Sequence, residues 1–168
     1  MNLMTPRLRR LALTAHLATS ISWMGAVGAF LALALAGLSS QDPQLTRAAY
    51  LGMNLTTWFV ILPLAAASLA SGLICSLGTA WGLFRYYWVV MKLSISLFSS
   101  MVLVIHLQPI ERLAVAAHGG ALGSNLHQAQ LMMVVASAVA VAVFALLTAL
   151  SVYRPRGLTP YGARRSGP

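Results

Sequence analysis

The chain has 168 residues, of which 59% are hydrophobic and 8% charged, with a formal net charge of +9. A soluble domain carries about a quarter charged residues, so this chain has too few to coat a water-soluble globule and reads as one compact membrane domain. The excess of basic residues does not point to nucleic acid, because they flank apolar segments and do not gather on one amphipathic face. A single cysteine, Cys75, excludes an internal disulfide and any zinc-type cysteine framework; it lies in an apolar run and is expected to pack there.

In chain order, Arg7, Arg9 and Arg10 precede an apolar run from Leu11 to Leu38. A basic start followed by an apolar run is also the form of a secretory signal, and Ala34-Leu35-Ala36 has the small residues of a cleavage site. The run is much longer than the roughly 7–15 residues of a signal's apolar core, so it is predicted to be a retained first span. A polar connection from Ser39 to Gln44 follows, ending near Arg47. The second span is predicted over Tyr50 to Leu77, with Pro63 inside it. Proline removes a backbone donor and crowds the preceding turn, so a kink is expected there. Ala65, Ser68, Ser71 and Gly72 give this span one side on which a neighbour can approach closely.

A turn from Gly78 to Gly82 leads through Arg85 to a third span, predicted over Tyr86 to Leu107 and ended by Pro109. A loop from Gln108 to Asn125 holds Glu111, Arg112, His118 and Gly119-Gly120. The fourth span is predicted over Leu126 to Val152. Residues 154–168 form a basic tail that is expected to be poorly ordered near its end. The whole is an all-α, four-transmembrane-helix bundle.

Arg7, Arg9, Arg10, Arg85, Arg154, Arg156, Arg164 and Arg165 fall on one side of this arrangement. Arg47 and Arg112 fall on the other, with both acids, Asp42 and Glu111. The positive-inside rule then places both termini in the cytoplasm, in a bacterial inner membrane. Trp81, Tyr86, Tyr87 and Trp88 fall at the cytoplasmic interface, where amphipathic rings are favoured.

Within the spans, His16 and Lys92 stand out, because ionisable groups are costly in lipid and by default suggest function. At 1.5 Å per residue, each lies roughly 8–9 Å inside the cytoplasmic start of its helix. Lys92, Ser96, Ser99, Leu103 and His106 recur at steps of four, three, four and three, one helical face that should look into the bundle. His106, about 21 Å beyond Lys92, and His127 at the start of the fourth span form a possible outer layer.

Neutral imidazole ligates iron through one ring nitrogen, and helix bundles hold cofactors between facing helices. The bland readings are open too. Lys92 can snorkel to the interface, His16 can hydrogen-bond a Ser or Thr on a neighbouring helix, and the outer histidines can be interfacial. His118 reads as a solvated loop residue.

Helix 1 reads His16-Leu-Ala-Thr-Ser-Ile-Ser-Trp23, and helix 3 reads Trp88-Val-Val-Met-Lys92-Leu93. This pairing resembles the superfamily of HemJ-type protoporphyrinogen oxidases and the copper-resistance protein D domain. The resemblance implies a haem site with His16 as axial ligand and Lys92 as ligand or catalytic partner, Trp23 and Trp88 lying beside it. Over nearly its full length the chain also looks like a set of uncharacterised bacterial four-helix membrane proteins. The stretches Ser76-Leu77-Gly78-Thr79, Trp81-Gly82-Leu83-Phe84-Arg85 and Ser151-Val152-Tyr153-Arg154-Pro155 carry that likeness. The chain has no charge from Phe30 to Leu38, where the HemJ type has an arginine.

The leading expectation is a membrane protein that binds a b-type haem for redox chemistry, as an oxidoreductase or with a quinone or another redox partner. In that reading His106 and His127 hold a second haem or mark an electron entry point. The alternatives are a cofactor-free subunit of a larger membrane complex or a homo-oligomer, and a transporter or metal-handling protein. No phosphate loop, paired carboxylate or nucleophile elbow is present.

Overall fold

The computed structural model describes residues 4–78, 83–84, 86–119, 126–153, 157, 159–160 and 164. Helix α1 is Pro6–Ser39, α2 is Pro43–Thr56, a π-turn occupies Thr57–Ile61, α3 is Leu62–Gly78, α4 is Tyr87–His118 and α5 is His127–Tyr153. α2, the π-turn and α3 run on as one rod, so the chain makes four helices long and apolar enough to cross a membrane. It is a multi-pass, all-α membrane protein. We call the end of the bundle that carries the termini proximal and the other distal.

The helices start earlier than hydrophobicity alone suggests, because local chemistry starts them. Thr5 caps α1 through its side chain, which accepts from Leu8 N–H, and Pro6 occupies the first turn. Asp42 caps α2 by accepting from Gln44 N–H at 2.9 Å, again with proline next. Both pairs use a proline where its missing N–H costs nothing. The second span therefore begins at Pro43, and not at Tyr50 as predicted.

Pro63 has a local irregularity beside it, and Pro109 behaves differently from expectation. Pro63 sits just beyond the π-turn, in which Leu62 N–H bonds to Thr57 O. The expected disturbance thus appears as one widened turn inside a continuous helix. Pro109 does not end the third span. It lies inside α4, which continues to His118, so Glu111, Arg112 and His118 sit on a helix and not in a loop. Beyond Pro109, Ile110, Leu113, Ala114 and Ala117 are buried at helical spacing, and α4 packs on α2. That burial offsets the lost backbone bond, a loss that membrane helices tolerate.

α1 packs against α3, α5 and α2 and is the organising helix of the core. Trp23, Ala26, Val27, Phe30, Ala34 and Gly37 form its buried stripe. Trp23 meets Phe144 of α5 with ring centroids 4.6 Å apart. Gly37 is required by Tyr50 of α2, since a Cβ there would lie 2.8 Å from the tyrosine Cζ. The small side of α3 faces α1, with Ala65 and Ser68 buried. Cys75 is buried on α3. Large apolar side chains such as Phe59 and Phe98 point outward, 76% and 67% exposed, as lipid-facing residues do.

At the proximal end, Tyr87 N–H bonds to Gly157 O at 3.3 Å, and Thr159 Oγ1 donates to Phe84 O. The start of the tail is thus held at two points; residues 165–168, where poor order is expected, and Trp81, Arg85, Arg154 and Arg156 lie outside the described residues. Placing a methyl at Gly37 forces the packed Tyr50 ring aside. Gly37→Ala is expected to cost about 1–3 kcal/mol, read as a lower thermal unfolding midpoint in detergent.

Candidate functional site

The α1–α3 contact near the proximal end is a seam of small polar groups. Thr19 and Ser20 follow His16 on α1 by three and four residues, which places all three on the side facing Ser68, Ser71 and Gly72 of α3. Ser20 Oγ lies 2.9 Å from Ser68 Oγ, and Thr19 Oγ1 lies 3.4 Å from Ser71 Oγ.

His16 Nδ1 lies 3.2 Å from Ser68 O and 3.2 Å from Ser71 Oγ. The carbonyl can only accept. The Ser71 hydroxyl already donates to Ala67 O at 2.7 Å. Both partners therefore call for a proton on Nδ1, which leaves Nε2 with its lone pair. The ring lies on Gly72, where a Cβ would sit 3.0 Å from His16 Cε1. The half-buried imidazole is thus oriented by α3 through one nitrogen, with the other left to bind.

Lys92 extends from α4 to α5, where Nζ donates to Ser151 Oγ at 2.6 Å. Ser151 passes its own proton to Leu147 O at 2.7 Å. The lysine is half-buried. His16 and Lys92 are each held by a different neighbour, α3 and α5. Trp88 lies one turn below Lys92, half-buried and tilted against Tyr86 at 6.5 Å. Trp23 lies two turns above His16 and fills the core against Phe144.

The α4 face read from spacing does turn inward. Lys92, Ser96, Ser99, Leu103 and His106 are all half-buried, whereas Ser94, Leu97, Phe98, Met101, Val104 and Ile105 are exposed. His106 repeats the geometry of His16. Its Nδ1 lies 2.7 Å from Val102 O, and its Nε2 is buried with no hydrogen-bond partner. The residue also lines a cavity of about 80 Å³ together with Phe30, Ser99, Met133 and Ser137. Because α4 runs on to His118, His106 lies inside the helix by about 18 Å.

His127 is exposed at the first residue of α5 and takes no part in this lining. His118, also exposed, lies 3.4 Å from Arg47 across the distal ends of α4 and α2. Among the described residues no three metal-binding side chains come together. The sequence reading missed the cavity and the orphaned nitrogen of His106; the signal was there in Ser99 and His106 one face apart from lipid, but the cavity's far walls come from α1 and α5.

The donor chemistry of His16 suits haem iron, because an imidazole fixed by a carbonyl on one nitrogen presents the other. The space is a separate matter. A cavity of about 80 Å³ is below the roughly 300–1,000 Å³ of a ligand pocket, and it lies at His106. The proximal half of α4 is loosely packed, since Val89 is its only buried side chain before Ile110.

Compared with known proteins, the chain matches no family model, no curated protein and no solved structure. Replacing Gly72 by leucine is expected to push the imidazole off α3. The mutant should lose the Nδ1–carbonyl bond, seen by ¹⁵N NMR of labelled histidine as a shift toward tautomer exchange, while Ser71→Ala should cost only about 1 kcal/mol.

Proposed function

We propose that the protein is a bacterial inner-membrane redox protein that binds a b-type haem at the proximal layer. The observation that carries this reading is the orientation of His16, whose Nδ1 is committed to Ser68 and Ser71 and whose Nε2 is left to ligate. Haem bound there supplies a one-electron iron couple inside the bilayer. The chain's own residues do the rest. Ser68 and Ser71 fix the ring plane and raise the basicity of Nε2. Gly72 leaves room for the ring. Lys92, steadied by Ser151, places a positive charge and an exchangeable proton beside it.

The membrane orientation belongs to the same proposal, with the proximal end in the cytoplasm, on the side to which the sequence assigns eight arginines. A second reading has one specific observation in its favour. The proximal half of α4 buries so little within this chain that another membrane subunit, or a second copy, could complete its packing.

Purified protein, expressed with ample haem supply, is expected to show a Soret band and a reduced α-band. His16→Ala should abolish both, Lys92→Gln should shift the midpoint potential downward by removing a nearby charge, and His127→Ala should change neither. A colourless wild-type sample that co-purifies with a fixed partner would favour the subunit reading instead. Cysteine labelling from the two sides of sealed vesicles tests orientation: a cysteine at position 160 should react only from the cytoplasmic face, and one at position 41 only from the opposite face.

A further inference from the structure

We infer that the end of α1, all of α2 and the end of α4 rise out of the bilayer on the distal side and pack there as a water-exposed head, with the membrane surface crossing the bundle near Thr57 and Gln108. This does not depend on haem binding at His16.

Length alone calls for an excess. The four candidate spans have 34, 36, 32 and 27 residues. At 1.5 Å per residue the first three are about 48–54 Å long, against a hydrocarbon core of about 30 Å. Absorbing that difference by tilt takes roughly 50° or more, beyond the 0–40° that membrane helices show.

The side chains say at which end the excess lies. On the outer face of α4, Phe98, Met101 and Ile105 are exposed, and the next exposed residues are Gln108, Glu111 and Arg112. On the second span, Trp58, Phe59 and Val60 are exposed, whereas towards the distal end the exposed positions include Gln44 and Arg47. On α5, exposed His127 and Gln128 give way to Leu131 and Met132. Ile61, His106 and Met133 line one cavity and so stand at one height. The change on α4 and α5 falls within about one to two turns of that height, and Thr57 lies one turn distal to it on the rod. From Gln108 to Trp88, and from Thr57 to Gly78, is about 20 residues, or about 30 Å, which is one hydrocarbon thickness.

Packing changes at the same level. Proximal to it, Val89 is the one buried side chain of α4 before Ile110. Lipid tails are as apolar as leucine, so nothing drives such residues inward. Distal to it, Leu113, Ala114 and Ala117 of α4 are buried, as are Tyr50 and Met53 of α2 and Gly37 of α1, and α2 packs on both α1 and α4. Water, and not lipid, enforces burial of that kind. Leu45 and Val115 stay exposed there, but apolar residues scattered singly are normal on a water-facing surface. α2 has 14 residues, about 21 Å, more than the roughly 5–8 Å of one headgroup layer. The head thus clears the headgroups and puts Asp42, Arg47, Glu111, Arg112 and His118 in the aqueous phase, on a surface open to water-soluble partners.

The test uses the full chain with Cys75→Ser, in phosphatidylcholine nanodiscs, carrying one nitroxide at a time on Phe98→Cys, Met101→Cys, Ile105→Cys, Gln108→Cys, Arg112→Cys or Val115→Cys. These follow the outer face of α4, and two positions at each depth cover the failure of either variant to fold. Relaxation by oxygen is expected to dominate at 98 and 101, and relaxation by a water-soluble nickel chelate at 112 and 115, with the ratio changing at least tenfold between the two pairs. On the second span, Phe59→Cys should read as lipid and Arg47→Cys as water. Amide exchange at Leu113 and Ala114 should be slow, which separates a folded head from an end of α4 that has unwound into water. A crossing between Ile105 and Arg112 supports the head. A crossing proximal to Ile105 or distal to Arg112, a lipid signal at position 47, or fast exchange at Leu113 and Ala114 overturns it.

Discussion

Inside a bilayer a hydroxyl proton has few places to go, and several in this protein go to the same one. Thr19, Thr57, Ser71, Ser100, Ser137, Thr148 and Ser151 each donate to the carbonyl four residues back in their own helix. This satisfies the hydroxyl without a neighbour, and it uses up the proton. What faces the next helix is a lone pair. Such a lone pair can take a donor from a neighbouring helix. The His16 imidazole N–H is drawn to Ser71 and Ser68, and the Lys92 amine to Ser151. The placing of these two ionisable side chains follows from such acceptors more than from any direct attraction between them.

The sequence made the number of spans, the close-packing side of α3 and the inward face of α4 legible, because each depends on a period or a run that one segment carries by itself. The failures share a cause as well. Pro109 looks like a helix terminator when only its own segment is considered. Its tolerance depends on Ile110, Leu113, Ala114 and Ala117 finding α2, which is a fact about two segments. The cap residues Thr5 and Asp42 were readable in principle. Hydropathy drew attention to the apolar runs and away from the polar residues that start them.

For the site, depth and face were legible and partners were not. Spacing placed His16 and Lys92 at one level. It could not say that His16 would lean on α3 and Lys92 on α5, since that depends on how the helices are arranged around α1. The pairing of His106 with His127 failed for a related reason. Similar height in two helices is not the same as facing one another, and His127 ends up exposed while His106 turns toward α1 and α5. The two interior imidazoles instead resemble each other in a way spacing does not encode: each has its proton on the nitrogen nearest the backbone and a lone pair on the far one.

The widened turn at Thr57–Ile61 has a bearing on how the second span divides its loyalties. An extra residue in one turn advances the helix by about 100° relative to an uninterrupted α-helix. The distal half presents Tyr50 and Met53 to the core, and the proximal half presents Ala65 and Ser68 to α1. Shortening the rod by a single residue in that turn would leave both halves helical but rotate one against the other, carrying the serines out from under His16. The length of that one turn therefore sets which residues of the second span reach the polar seam.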